Sequence, residues 1–141
     1  MRIWKISQSS IIAYHGTCEG LYNMILEDDG LKNPYLARDI DLAKYYAKEA
    51  SVNYRCGNPI VLEVMVPCTS NLRYDKYSMS DPVYANVSDV DKSLEQIAKS
   101  HPEWVEYGVL VIPESEWKIS WDIAGAARYN GVITEEYFTI L

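Results

Sequence analysis

Residues 60–66 constrain the fold more than any other segment, because they read Ile-Val-Leu-Glu-Val-Met-Val. These residues are mostly β-branched or aliphatic, which favours an extended strand that packs against its neighbours. Pro59 directly precedes the run, so the strand has a defined start. The sequence therefore predicts a β-sheet in which this is the strongest strand.

Apolar residues at helical spacing predict three helices around this strand. Residues 19–28 have this pattern, and Gly30 follows as a natural stop signal. Asp39 is a typical N-cap for a second helix that reaches about residue 50. A third helix is expected over about residues 91–99.

Further strands are expected at residues 2–6, 11–14, 35–37, 106–112, 117–121 and 137–141. The polar, tyrosine-rich residues 69–86 suggest a long irregular loop between them. Regular alternation of strands and helices is missing, so we expect an α+β fold of packed sheets with helices on one side. Repeats and Pro/Gly/Ser linkers are also missing, which predicts one domain over residues 1–141.

Charge and hydropathy narrow the range of partners. The net charge is −7, and the 13 Lys and Arg residues are scattered. This argues against tight binding of a nucleic-acid backbone, which needs a basic surface. No apolar run approaches the ~20 residues that span a bilayer, and residues 1–10 lack the apolar core of a signal peptide. We expect a cytoplasmic protein with no membrane partner.

The three cysteines, Cys18, Cys56 and Cys68, are odd in number and contain no Cys-x-x-Cys pair. Neither a disulfide framework nor a zinc site follows from this spacing. Reduced, partly buried thiols are the expectation.

Four short motifs carry possible chemistry, and each alone has an ordinary structural explanation. A histidine at a strand end is usually a structural hydrogen-bonding group, and half-buried tyrosines usually pack. Their order and spacing are more specific, because the two tyrosines are eleven residues apart and the second lies on the capped helix. The motifs are Tyr14-His15-Gly16-Thr17, Tyr35-Leu36-Ala37, Tyr45-Tyr46 and Val105-Glu106-Tyr107.

This combination resembles the ADP-ribosyltransferases of the His-Tyr-Glu type, the group that contains diphtheria toxin and the poly-ADP-ribose polymerases. The resemblance covers roughly residues 12–122. It implies an α+β fold in which two packed, mainly antiparallel β-sheets form a split NAD-binding cleft with about three helices. It also implies a mono-ADP-ribosyltransferase that cleaves NAD to nicotinamide and transfers ADP-ribose to a macromolecule.

The resemblance implies a role for each motif. The side chain of His15 would bond a ribose hydroxyl, and the backbone of Gly16 would hold the nicotinamide amide, with Thr17 completing this NAD-binding element. Tyr35 and Tyr46 would sandwich the nicotinamide ring, which orients a planar leaving group. The neighbouring Tyr45 competes for the second position, but the spacing of eleven residues favours Tyr46.

Glu106 would be the catalytic carboxylate, with His15 and Tyr46 beside it. It would bond the ribose 2′-hydroxyl and stabilise the positive charge that develops as nicotinamide leaves. Arg38, close to Tyr35, would neutralise the pyrophosphate. NAD is then the consumed co-substrate, and no metal is expected. Trp104 replaces the acidic residue found two positions earlier in a related branch, so the acceptor cannot be inferred from it.

Several alternatives remain. Glu114-Ser115-Glu116 imitates the Glu-x-Glu pair of a neighbouring branch, although a turn after Pro113 explains it as well. The same pocket could hydrolyse NAD or remove an RNA 2′-phosphate. The fold could also serve an inactive acidic protein that binds or inhibits a basic partner. The expected acceptor is a protein, chosen by residues 69–86 and the segment before Glu106, as in effectors delivered into a host cytoplasm.

Overall fold

The computed structural model describes residues 11–141, so the strand predicted at residues 2–6 lies outside the described part. The described residues contain five α-helices: α1 Glu19–Glu27, α2 Ile40–Tyr54, α3 Lys76–Ser80, α4 Val87–Ser100 and α5 Trp117–Ala124. The strands are β1 Ile12–Cys18, β2 Leu31–Lys32, β3 Tyr35–Ala37, β4 Pro59–Met65, β5 Leu72–Arg73, β6 Val105–Glu106, β7 Val109–Leu110, β8 Ala126–Tyr129, β9 Val132–Ile133 and β10 Phe138–Ile140.

Six strands form the main sheet in the order β10-β4-β1-β3-β8-β5, and every neighbouring pair is antiparallel. Strands β1 and β4 pair along the whole of β1, from Ile12 opposite Met65 to Cys18 opposite Pro59. Strands β1 and β3 share only the pair Tyr14 and Ala37. The sheet is therefore nearly divided between these two strands into two halves of three strands each.

Helix α2 covers one face of the main sheet through small side chains. Ala43 and Ala47 of α2 are buried, and Ala43 packs with Ala37 of β3 and Ala126 of β8. These small residues allow the helix backbone to lie close to the sheet. The opposite face carries the larger core, which includes Leu36, Leu62, Val64, Leu72, Ala127, Tyr129, Ile133 and Phe138.

Two small sheets flank the main one. Strands β2 and β9 pair antiparallel, and so do β6 and β7. Tyr107 and Gly108 turn the chain between β6 and β7 with φ angles of 51° and 78°. Two successive positive φ angles are typical of a type I′ hairpin turn. This hairpin is separate from the main sheet.

The structure confirms the α+β class and the mainly antiparallel pairing. The predicted strands at residues 35–37, 60–66 and 137–141 correspond to β3, β4 and β10, and the three predicted helices correspond to α1, α2 and α4. The described residues differ from the predicted architecture in number of elements. They contain five α-helices where about three are predicted, and one six-stranded sheet with two two-stranded sheets where two packed sheets are predicted.

The strand predicted at residues 117–121 is the helix α5. Trp117 and Trp121 are four residues apart and both pack against the larger core, with their ring centroids 5.9 Å apart. That spacing puts both rings on one face of a helix, although the sequence pattern alone predicts a strand here. The strand predicted at residues 106–112 is only the short hairpin.

The predicted loop at residues 69–86 contains the strand β5 and the helix α3. Leu72 on β5 is buried, and β5 is an edge strand of the main sheet next to β8. The two residues of β5 are too few to give a periodic pattern in the sequence. This segment is therefore part of the fold and not an irregular loop.

The expectation of reduced thiols is also wrong for two cysteines. Cys18, at the end of β1, and Cys56, just after α2, form a disulfide with their Cα atoms 5.8 Å apart. Cys68 is free and exposed. The spacing in the sequence could not predict this pair, because α2 returns the chain to the end of β1. Among residues 11–141, no helix is both long and apolar enough to cross a membrane.

Candidate functional site

His15 is placed by β1 at the point where β1 and β3 diverge. Continuing the register from Tyr14 and Ala37 would bring Gly16 opposite Tyr35, but those two residues do not pair. Instead the Nδ1 atom of His15 lies 2.8 Å from the carbonyl oxygen of Tyr35. A carbonyl oxygen only accepts, so Nδ1 carries the proton and Nε2 of the neutral ring is an acceptor.

The histidine is half-buried, and this affects its charge. Burial lowers the pKa of His15 below the ordinary value of 6.5, and the hydrogen bond with Tyr35 acts in the opposite direction. The ring is therefore neutral at physiological pH. His15 therefore adds no positive charge to the region where β1 and β3 diverge.

Gly16 and Thr17 have structural roles that the resemblance did not suggest. A Cβ atom on Gly16 would meet the carbonyl oxygen of Ala43 and would lie 2.5 Å from the backbone nitrogen of Ala47. Glycine is thus required at this position because α2 approaches β1 closely. The resemblance instead implies that the backbone of this glycine holds the nicotinamide amide. Thr17 is only 2% exposed and belongs to the interior.

Tyr35 and Tyr46 are both partly exposed, at 46% and 37%. Tyr35 is two residues from Ala37 on β3, so it faces the side of the sheet on which α2 lies. Tyr46 is on α2 itself, next to Ala47. The two predicted clamp residues therefore belong to the same side of the sheet. The T-shaped ring contacts extend this group, because Tyr35 contacts Tyr77 at 6.3 Å and Tyr46 contacts Tyr45 at 5.6 Å.

Asp75 is a buried carboxylate beside both clamp tyrosines. Burial raises the pKa of Tyr35 and of Tyr46, and the negative charge of Asp75 raises both further. Asp75 is only 4% exposed and is the N-cap of α3, where its Oδ1 atom accepts from the backbone N–H of Ser78 at 3.1 Å. Its own backbone N–H donates to the hydroxyl of Ser120. The carboxylate is therefore fixed in place.

The positive charge of Arg128 acts on this carboxylate. Arg128 pairs in register with Tyr35 across β3 and β8, so both side chains point to the same face. Burial raises the pKa of Asp75, while the hydrogen bonds from Ser78 and the charge of Arg128 act against that rise. Arg128 also forms an ion pair with Glu114, with 3.6 Å between the guanidinium nitrogen and the carboxylate oxygen. Its positive charge therefore interacts with two carboxylates.

Arg38 is engaged in contacts that stabilise the fold. Its guanidinium donates to the carbonyl oxygens of Trp121 and Asp122, at 2.8 and 3.3 Å, near the end of α5. It also forms a salt bridge with Asp39 at 3.0 Å. A pyrophosphate would have to displace Asp39 to reach this guanidinium, so the predicted role of Arg38 gains no support from its position.

Glu106 lies on a hairpin that is not part of the main sheet. It is exposed on the β6–β7 hairpin, beside Tyr107 at the tip. Among residues 11–141, no hydrogen bond, ion pair or ring contact joins Glu106 to His15, Tyr35 or Tyr46. The structure therefore bonds the ring of His15 to the backbone carbonyl of Tyr35, while alternation along β1 directs that ring to the face of Ala13, opposite the face of Tyr35 and Tyr46. Glu106 contacts none of the three.

A surface cavity of about 670 Å³ lies along the exposed side of α2. It reaches Tyr45, the neighbour of Tyr46, but none of the predicted site residues lines it. Its lining consists of Asp39, Asp41, Lys44, Tyr45, Lys48 and Tyr84. In the described part of the chain, no group of three or more His, Cys, Asp or Glu side chains is arranged to hold a metal ion.

Sequence reasoning missed Asp75, Tyr77 and Arg128. Asp75 and Tyr77 fall in the segment interpreted as a loop, and Arg128 lies on β8, which was not predicted. The sequence signal that could have indicated Asp75 is its residue type. Aspartate is a favoured N-cap residue, and a short helix begins at Lys76 directly after it.

Comparison with known proteins found no match at any of three levels: no family model, no curated protein and no solved structure matches this chain.

Proposed function

We propose that this protein is a mono-ADP-ribosyltransferase that cleaves NAD to nicotinamide and transfers ADP-ribose to a macromolecular acceptor, a protein in the first instance. The observation that carries the proposal is the divergence of β1 and β3, where His15 replaces the missing backbone pairing by bonding the carbonyl of Tyr35. We take the gap at this divergence as the candidate for the split cleft that the resemblance implies, with the His15 ring reaching it from the face of Ala13 and the Tyr35 ring from the face of α2.

In this proposal His15 positions the ribose. Its Nδ1–H is held by Tyr35, so the lone pair of Nε2 accepts a hydrogen bond from a ribose hydroxyl. The lowered pKa keeps that lone pair free of a proton at neutral pH. A fixed neutral acceptor orients the sugar without repelling the positive charge that develops at C1′ when nicotinamide departs.

Tyr35 and Tyr46 hold the leaving group. Both rings are partly exposed on the side of the sheet that carries α2, where a flat ring can stack against them. Stacking fixes the plane of nicotinamide and leaves its glycosidic bond accessible to the acceptor. Tyr45 and Tyr77 extend the aromatic surface on either side through their ring contacts.

The proposal does not depend on Glu106, because that side chain has no contact with the rest of the site. The resemblance predicts that replacing it by glutamine removes a transition-state stabiliser and lowers turnover by roughly 10²-fold or more. The exposed position on the hairpin predicts a near-normal rate. Measuring nicotinamide release by Glu106→Gln decides between these two assignments.

The activity is tested with NAD labelled in its adenosine part, incubated with the protein and a cell lysate. We expect nicotinamide release and labelled protein, and mass spectrometry of the labelled bands identifies the acceptor. Tyr35→Ala and Tyr46→Ala should weaken NAD binding by about tenfold or more, because each removes one stacking face. Tyr54→Ala, an exposed tyrosine at the end of α2, is the matched control.

Two other outcomes of this assay would redirect the proposal. Free ADP-ribose without labelled protein would identify an NAD glycohydrolase. Absence of NAD cleavage by the wild-type protein would refute both enzymes and favour the inactive binding or inhibitor protein. The separate position of Glu106 is the observation that favours this second candidate.

A further inference from the structure

We infer that Asp75 makes the tyrosine site selective for a planar aromatic cation, such as an N-substituted pyridinium, over the neutral ring of the same shape. The inference rests on the proposed function in that it concerns the same site. It adds a preference for a positively charged ring, which the resemblance to the ADP-ribosyltransferases does not by itself imply. The ring of oxidised NAD carries this positive charge, whereas free nicotinamide is neutral.

The position of Asp75 follows from the sheet. Tyr35, Arg128 and Arg73 are opposite one another across β3, β8 and β5, and Asp75 comes two residues after Arg73. Asp75 begins α3, which carries Tyr77 against the ring of Tyr35 at 6.3 Å. The N–H of Ser78 thus fixes the carboxylate at the start of α3, the helix that brings Tyr77 against Tyr35.

Carboxylates act on both tyrosines. Asp75 and the exposed Asp81 both act on Tyr46, and Asp75 acts on Tyr35. The opposing cations are engaged elsewhere, because Arg128 approaches Glu114 at 3.6 Å and the guanidinium of Arg73 donates to the backbone carbonyls of Ser70 and Leu72. His15 contributes no positive charge because its ring is neutral.

Two physical effects then favour a cation in the same place. The faces of tyrosine rings attract cations, with a gain that grows as the cation is desolvated. A buried carboxylate attracts the same cation through surroundings of low effective dielectric constant, where charge interactions are several times stronger than in water. A neutral ring of equal size stacks as well but gains neither charge term.

The experiment compares 1-methylnicotinamide, a permanent cation, with nicotinamide, at about pH 8 where the carboxylate is ionised. Binding to the full chain is measured by ligand-observed NMR titration. We expect the wild-type protein to bind the cation about tenfold more tightly than the neutral ring. Asp75→Asn should reduce this preference to about twofold or less, because it removes the charge while asparagine remains a good N-cap for α3.

Two further variants complete the test. Asp91→Asn removes an exposed carboxylate from α4 and should keep the wild-type preference. Arg128→Gln removes the opposing charge and should increase the preference, so it tests the inference with the opposite sign even if Asp75→Asn does not fold. Equal affinity of the wild-type protein for both rings, or a folded Asp75→Asn that keeps the full preference, would overturn the inference.

The outcomes separate this inference from the proposed function. A preference for the cation that depends on Asp75, in a protein that does not cleave NAD, supports the inference and refutes the activity. Cleavage of NAD without any dependence of ring binding on Asp75 supports the activity and refutes the inference.

Discussion

His15 combines a hydrogen bond to the neighbouring strand with a pKa that burial lowers below 6.5. The unfolded chain therefore binds a proton at this residue at a higher pH than the folded chain does. Stability from this group is complete above the unfolded pKa and decreases as the pH falls from about 6.5 towards the folded pKa.

We predict that His15→Gln makes the free energy of unfolding less sensitive to acid between about pH 7 and pH 5. Glutamine has an amide N–H that can donate to the Tyr35 carbonyl, but it does not titrate. Chemical denaturation at several pH values, followed by tryptophan fluorescence, measures the difference. His101→Gln is the control, since His101 is stacked on Trp104 outside this region. Equal pH dependence in wild type and His15→Gln would contradict the prediction.

The contact between β1 and α2 depends on the missing side chain of Gly16. A methyl group there would meet backbone atoms of Ala43 and Ala47, which cannot move without displacing the helix. We predict that Gly16→Ala destabilises the fold by more than about 2 kcal/mol, through overpacking. Thermal and denaturant unfolding of the purified variant measures this loss.

Gly108→Ala is the matched control for this element. Gly108 has a positive φ angle of 78°, but a Cβ atom there meets nothing within 4 Å. Its substitution should cost only the backbone strain of about 1 kcal/mol. A Gly16→Ala variant as stable as Gly108→Ala would mean that α2 does not approach β1 as closely as the structure has it.

Elements with a long periodic pattern could be predicted from the sequence, and short or mixed ones could not. Helix α2 and strand β4 have enough residues for their hydrophobic spacing to be distinctive. Strand β5 has two residues, and its place beside β8 is determined by pairing with a distant part of the chain. Helix α5 was interpreted as a strand because its two tryptophans and Ile119 also suit an extended segment.

The candidate site shows the same limit. His15, Tyr35 and Tyr46 belong to elements that the sequence identifies, and their motifs indicate them as candidate site residues. Asp75 acquires its importance from burial and from the neighbours that the β3–β8–β5 register brings to it. Glu106 is assigned from the order and spacing of the four motifs, and these do not reveal that β6 pairs with β7 apart from the main sheet.

At the scale of the whole molecule, the nearly divided sheet is held together by few connections. β1 and β3 share one register pair, and Arg38 connects the end of β3 to carbonyl oxygens at the end of α5. On the other half of the sheet, the disulfide between Cys18 and Cys56 joins the end of β1 to the chain that leaves α2. This covalent connection ties the chain just after α2 to the end of the strand that carries His15.

The disulfide leads us to predict how many thiols of the chain react with an alkylating reagent before and after reduction. Of the three cysteines, only Cys68 should react when the unreduced protein is unfolded and alkylated, giving one adduct, whereas prior reduction should give three. In the folded protein, hydrogen bonding with Ser70 lowers the pKa of the exposed Cys68 thiol, which favours its reaction without unfolding as well. Reduction, or Cys56→Ser, opens a loop of 38 residues and should lower the free energy of unfolding by about 4 kcal/mol.

Cys68→Ser is the control, since it removes the free thiol and should leave stability within about 0.5 kcal/mol of the wild-type value. Mass spectrometry counts the adducts, and denaturant unfolding with and without reductant gives the energy. Such bonds persist in oxidising compartments, so a protected pair in protein isolated from its natural source would place the folded chain there. Three adducts before reduction would instead restore the expectation of free thiols, and α2 would then be held on β1 by noncovalent packing alone.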